Sequence, residues 1–336
     1  MKIQKIVFLL WLLPSSIYLF AQQKISPFES EKSTGYRGND IPELRYYDDG
    51  FSFLVLGDFG RVGDYYQKDV ARELGNAAIV SNAECIISVG DNFYPNGVAS
   101  TQDHHWKASF EEIYNNPGLY TDWFVALGNH DYQGSIQAQI EYSSVSRRWN
   151  MPATYYSKTF TTAKGEKLLM LFIDTNPFID SYYKNPQKYP DLAKQDTITQ
   201  RKWIEETLNT SDPSIKWKIV VGHHPLYSGG KRKNNKDTAS FESKFADLFD
   251  QYKVDAYICG HEHDLQIVKP KKRYTTQFLS GAGSEVRETG NREGTVFAAA
   301  KPGFMTFTIV KNKMIVQTVK ANPVSASILH TYEITK

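Results

Sequence analysis

Only two of the 336 residues are cysteines, Cys85 and Cys259. That count excludes a disulfide-stapled scaffold and a thiolate metal site. A single bridge between the two is not expected either. Cys85 stands six residues before Asp91, and Cys259 two before His261. If those acids and imidazoles share one rim, the thiols differ in depth by roughly 13 Å at strand rise. A bridge needs Cα atoms within about 7 Å, so both are read as free, buried thiols. Excess charge is also lacking. Lys and Arg number 39 against 37 Asp and Glu, which leaves no global field for a nucleic-acid backbone. Beyond the N-terminus no apolar run is long enough to span a bilayer. Charged residues make up 23% and aromatics 14%, the composition of a globular chain and not of a disordered one.

The one long apolar stretch is at the start. Lys2 and Lys5 precede an apolar run over 6–13, and Leu19-Phe20-Ala21 offers a cleavage site before Gln22. This reads as a secretory signal over 1–21. Pro14-Ser15-Ser16 interrupts the run, which is short for a retained anchor. The expected product is secreted or periplasmic, free of the membrane after cleavage, and monomeric. Residues 22–50 form a polar lead-in, and 51–336 are expected to fold as one domain.

From Phe51 onward, strand-like and helix-like segments alternate. Helical spacing covers 66–80, 104–114, 135–149, 199–208 and 241–252, and a strand covers 168–174. The C-terminal third is different. Its strands at 275–279, 303–310, 314–320 and 328–335 suggest a second sheet packed on the first. The fold class expected is α/β (α+β), with helices outside the sheets. Two long loops, 176–196 and 228–237, are candidates for functional segments. The basic residues Lys231, Arg232, Lys233 and Lys236 of the second read as a solvated face, with substrate steering as the alternative.

Five apolar runs share a further property: each ends in glycine followed by a metal-type ligand. They end at Gly57-Asp58, Gly90-Asp91, Gly128-Asn129-His130, Gly222-His223-His224 and Gly260-His261-Glu262-His263. Short, continuous, β-branched runs suit strands covered on both faces. Glycine lets backbone and ligand approach closely where a strand stops. Asp, Asn and His together suit hard or borderline metals.

Individual roles follow from residue chemistry. Asp91 can bridge two cations through its two oxygens. Tyr94, three residues later, can face the same centre, and a phenolate favours a hard trivalent ion. His261 and His263 are one residue apart, and in extended backbone i and i+2 point the same way. Glu262 then points away, to orient a neighbour or meet solvent. Asn129 is a neutral oxygen ligand. His130 projects into substrate space as a binding group or general acid, and Asp131 orients His130 or His263. Of His223 and His224, the first ligates and the second faces substrate or packs. His104, His105 and His330 lack this context and read as structural or exposed. A trivalent and a divalent cation, set against Asp58, Asp91, the Tyr94 phenolate and a bridging hydroxide, leave a centre near about +1. Such a centre attracts phosphate and activates water for in-line displacement.

The order Gly-Asp, Gly-Asp-Asn-Phe-Tyr, Gly-Asn-His-Asp, Gly-His-His-Pro and Gly-His-Glu-His resembles the metallophosphoesterases. Tyr94 narrows the resemblance to the purple acid phosphatases, and 90–98, 138–150 and 260–266 look like their small, tartrate-resistant animal type. The resemblance implies two packed mixed β-sheets flanked by helices, in four layers. It implies Fe3+ held by Asp58, Tyr94 and His263, a second metal (Fe2+, Zn2+ or Mn2+) held by Asn129, His223 and His261, and Asp91 bridging. His130 matches the family's substrate-side histidine, and the remaining substrate contacts would be His224 and Asn92. The family also has a loop near 176–196 that restrains activity until cut. His224 replaces a usual tyrosine, and Tyr132 a frequent histidine.

The expected function is a secreted acid phosphatase acting on phosphate monoesters, both small phosphorylated molecules and phosphoproteins. A phosphodiesterase or nucleotidase with the same metals is the alternative. A non-catalytic metal-binding module is the third reading, and the complete ligand set speaks against it.

Overall fold

The computed structural model describes residues 41–336. The signal assigned to 1–21 and most of the 22–50 lead-in lie outside the described residues. Among the described residues no helix is long and apolar enough to cross a membrane.

Among the described residues, fourteen strands form two seven-stranded sheets. In the first, β1 (Phe51–Leu56), β2 (Cys85–Ser88), β3 (Asp122–Val125) and β4 (Trp149–Asn150) run parallel. On the far side of β1 it continues antiparallel through β12 (Gly303–Val310), β13 (Lys313–Lys320) and β14 (Ser327–Thr335). In the second, β6 (Lys167–Phe172), β7 (Ile215–Val221), β8 (Ala256–Cys259) and β10 (Thr276–Ser280) are parallel neighbours in that order. Antiparallel strands complete it, β5 (Tyr156–Thr161) beside β6 and β9 (Leu265–Val268) then β11 (Thr295–Ala299) beyond β10.

Two mixed sheets are as the sequence implies, but their membership is not. Of the C-terminal strands expected from the sequence, those at 303–310, 313–320 and 327–335 extend the first sheet, and only the one at 276–280 joins the second. The reason lies in register: the apolar β1 pairs residue by residue with β12, from Phe51↔Ile309 to Val55↔Met305.

The inner faces of the sheets share one core, where Phe53 stacks on Phe307 at 4.9 Å and Phe307 meets Phe278 of the other sheet at 5.2 Å. Helix α1 (Gln67–Ser81) covers the first sheet, with Val70, Leu74, Ala77 and Ala78 buried. α3 (Thr197–Leu208) and α4 (Lys236–Gln251) cover the second, where Ile204, Leu208, Phe241, Phe245 and Phe249 form a second core with Val220 and Tyr257. Caps set where these helices begin. Asp196 accepts the amides of Ile198 and Thr199, and Asn235 those of Asp237 and Thr238.

The helix expected over 135–149 is only α2 (Ile136–Tyr142). Beyond it Ser143 and Ser144 bond to nearby backbone, competing with helix continuation. The 104–114 helix is a six-residue π-helical segment, Trp106–Glu111. The 176–196 loop is folded into three short 3-10 turns. Cys85 and Cys259 are free and buried.

Candidate metal centre

Parallel register brings the five runs to a common rim. Leu56 pairs with Ser88, and Ser88 with Val125. In the facing sheet Val221 pairs with Ile258. Each strand stops two to four residues before its candidate ligand. Three of those ligands, Asp58, Asp91 and His261, adopt left-handed backbone at φ 57°, 52° and 72°. Non-glycine residues rarely do so, and such strain concentrates at functional sites. Close approach explains the glycines. A Cβ on Gly128 would sit 2.2 Å from Asp91 Oδ1, and one on Gly90 (φ 94°) 2.8 Å from His223 Nδ1.

The side chains then converge. The Tyr94 hydroxyl lies 2.9 Å from Asp91 Oδ2, 3.1 Å from Asp58 Oδ1 and 3.2 Å from His263 Nε2. On the other side of Asp91, His223 Nε2 is 3.4 Å from Oδ2 and 3.1 Å from His261 Nδ1. His223 Nδ1 donates to the Val89 carbonyl at 2.9 Å, which turns Nε2 toward the cluster. The Asn129 Oδ1 is buried and has no hydrogen-bond partner. Asp91 therefore links two groups, Asp58–Tyr94–His263 and His223–His261, with Asn129 close by in the same rim.

Electrostatics favour a cation here. Burial pushes Asp58 up to about 8; Asp91 adds to that push, and His223 opposes it. Burial also works against the Asp91 anion, yet His223 and His130 hold it ionised. Burial keeps His261 and His263 neutral, well below the usual imidazole range. Two buried carboxylates, neutral imidazoles, a phenol and an orphaned amide oxygen fit a pair of hard or borderline metals.

Several sequence expectations are met for a different reason or not at all. His261 and His263 do both face inward, but the backbone is a left-handed bend and not an extended strand. Glu262 does orient a neighbour: it is buried, accepts Ser228 Oγ at 2.6 Å, and binds the amide and Nη1 of Arg232 at 2.7 and 3.2 Å. The basic loop is thus anchored at Arg232 and is not a wholly solvated face. Asp131 does not orient His130 or His263. Its carboxylate accepts the Gly128 and Asn92 amides and Gln139 Nε2. Asn92 does not face substrate, because its buried amide ties Ala126 O, Asp131 and Ser88 together. His224 lines the cavity, but Thr175 Oγ1 and the Tyr182 hydroxyl occupy its two ring nitrogens, each at 2.8 Å. Tyr132 is buried and bonded to Asp174, away from any substrate. His130 sits at the cavity floor, its amide 2.7 Å from Asp91 Oδ1. His104 is exposed beside Asp103, His105 is half-buried next to it, and His330 stacks on Phe297.

Sequence reasoning missed an arginine–glutamate layer. Arg61 Cζ lies 3.7 Å from the Tyr94 ring centroid, and its Nη2 is 2.7 Å from Glu285 Oε2. The same oxygen is 3.2 Å from His263 Nδ1 and 3.0 Å from Arg287 Nη2. Arg61 stands three residues after Asp58, so its proximity is a readable signal. Glu285 and Arg287 follow β10 in a loop whose spacing announces nothing.

Known proteins resemble this chain over most of its length. Residues 51–265 match the family model described as calcineurin-like phosphoesterase. Purple acid phosphatase 4 of Arabidopsis thaliana is 32% identical over 300 residues, covering 86% of this chain and 85% of the relative. Tartrate-resistant acid phosphatase type 5 of Sus scrofa is 32% identical over 244 residues, 69% of each chain. Among solved structures, GAP50, titled the anchor in the inner membrane complex of Plasmodium, superposes with a TM-score of 0.71 at 22% identity. It covers 85% of this chain and 89% of its own, a likeness of fold alone. The chain belongs to the calcineurin-like phosphoesterases and, within them, to the purple acid phosphatases.

Proposed function

We propose that the protein is a secreted acid phosphatase that hydrolyses phosphate monoesters at a dinuclear centre of Fe3+ and a divalent metal, Fe2+, Zn2+ or Mn2+. Membership in a phosphoesterase family makes it a phosphoric ester hydrolase. The observation that carries the finer reading is the Tyr94 hydroxyl, within 3.2 Å of Asp58, Asp91 and His263. A phenol buried among carboxylates is a donor for a strongly Lewis-acidic ion. In this reading Asp58, Tyr94 and His263 hold the ferric ion, Asn129, His223 and His261 the divalent one, and Asp91 is shared.

When bound, the pair supplies Lewis-acid charge for the phosphate oxygens and lowers the pKa of water at the site. The chain's own groups do the rest. Asp91 Oδ1 holds the His130 amide and so places that residue beside the centre. His130 Nδ1 is 2.5 Å from the Pro95 carbonyl. A carbonyl only accepts, so Nδ1 carries hydrogen and Nε2 is left for the cavity. As an imidazolium, His130 has a proton at Nε2 to give to the leaving oxygen. Small phosphorylated molecules and phosphoproteins are the expected substrates.

A visible spectrum, metal analysis and an aryl phosphate assay on one purified sample test this. A pink or purple protein that contains iron and is active at acid pH is expected. Activity in a colourless zinc or manganese protein would remove the ferric tyrosinate. Absence of hydrolysis by metal-loaded protein would remove the phosphatase.

A further inference from the structure

The cavity above the centre has a volume of about 350 Å3, with Asn129, His130 and His261 among its lining. That is room for roughly a dozen waters at about 30 Å3 each, more than a phosphoryl group of five heavy atoms displaces. The substrate's leaving group must therefore meet the cavity wall. Three cations stand there, Lys188, Arg232 and Arg287.

Two of them are fixed from beneath. Glu262, buried between His261 and His263, holds Arg232 by its backbone amide at 2.7 Å and by Nη1 at 3.2 Å. The same Nη1 donates to His261 O at 3.0 Å. Both side-chain contacts use one nitrogen, so among the described residues Arg232 Nε and Nη2 have no protein acceptor. The Arg287 amide donates to His263 O at 2.8 Å, and its Nη2 shares Glu285 Oε2 with Arg61. Its Nη1 has no acceptor among the described residues. Lys188 lies on the 176–196 segment, its Nζ 5.5 Å from the Tyr189 ring centroid. The acid in the lining, Asp237, is bonded to Ser181 Oγ at 2.7 Å. The wall thus presents unused, pre-positioned guanidinium donors, the geometry that takes carboxylate or phosphate as a fork.

Resting on the phosphatase reading, we propose that this wall is a second anion subsite. The enzyme selects phosphate monoesters whose leaving group carries another anionic group close to the ester oxygen. Arg232 is the principal contact and Arg287 the second.

Three esters on one two-carbon skeleton test it with the metal-loaded protein at low salt: 2-hydroxyethyl phosphate, 2-phosphoglycolate and 1,2-ethanediol bisphosphate. The first is neutral beyond the ester, the second adds a carboxylate, and the third adds a phosphate. Both anionic esters are expected to exceed the neutral one in kcat/KM by about tenfold, equivalent to about 1.4 kcal/mol. The preference should shrink as salt is raised. Arg232→Gln should bring the ratio to within roughly threefold of unity, with a smaller fall for Arg287→Gln. If only one anionic ester is preferred, the subsite is specific for that source of charge. Equal turnover of all three by the unmodified enzyme, or an unchanged ratio in Arg232→Gln, overturns the subsite and leaves the phosphatase intact. The salt series needs no variant, so misfolding of Arg232→Gln cannot rescue the idea. Hydrolysis of none of the three removes the phosphatase reading itself.

Discussion

The inner centre and the wall above it are built by opposite means. The first inner donor after each strand follows its end by two to four residues, and sheet register fixes their spacing. The wall comes from the segments at 176–196, 228–237 and 285–287, which have no register to hold them. Buried or half-buried glutamates, Glu262 and Glu285, take over that task. Rigid elements thus set the donors, while loops that can vary set what surrounds the substrate. The two layers meet at the loop after β8, where Glu262 is flanked by two candidate ligands and grips Arg232.

The largest effect should come from breaking the inner layer at its shared member. Asp91 touches Tyr94, His223 and the His130 amide. Asp91→Ala is expected to lower kcat on an aryl phosphate by at least about a thousandfold, the scale of several kcal/mol of lost Lewis-acid stabilisation. Metal content should fall with it. Full activity at full metal content would show that Asp91 does not hold the pair.

Next in size is Tyr94→Phe, which keeps the ring under Arg61 and removes only the oxygen. The visible band should vanish, and activity should drop by more than about tenfold, as for loss of a group that tunes a metal. A band that survives would assign the colour to another donor.

A sharper test of the two-layer comparison is Glu262→Gln. It leaves every candidate ligand in place and weakens the charge that holds Arg232. Metal content is expected to stay the same while KM for 2-phosphoglycolate rises by roughly threefold to tenfold, the range of one charge-assisted hydrogen bond. If metal is lost as well, the layers are not separable and Glu262 belongs to the centre.

This division also explains what the sequence reveals. Five of the seven donors were legible because a glycine directly precedes each, and because Asp, Asn and His in one pattern have few other uses. The left-handed turn at His261 was not legible, since extended backbone predicts the same facing of His263. The wall was hidden because Arg232 is meaningful only through Glu262, thirty residues away, and Arg287 only through Glu285 and Arg61. Sheet membership failed similarly. Nothing in the apolar pattern of 303–335 says which of two sheets it joins until β1 supplies a partner.

The smallest expected effect concerns His224, which sequence reasoning places either against substrate or in packing. Both of its ring nitrogens are occupied, by Thr175 Oγ1 and by the Tyr182 hydroxyl. One nitrogen must donate and the other accept, so a neutral imidazole has no hydrogen-bonding capacity left for a phosphate. Burial, reinforced by His223, keeps it neutral by holding it well below the usual range. His224 then acts by fixing Tyr182 at the cavity edge. Tyr182→Phe should lower kcat/KM by roughly twofold to tenfold, the net value of one buried hydrogen bond. His224→Asn should cost about the same, and the double variant should be no worse than the more damaging single one, since both break one link. A double variant whose losses multiply would instead mean that His224 meets the substrate independently of Tyr182, and would move it from the wall to the inner layer.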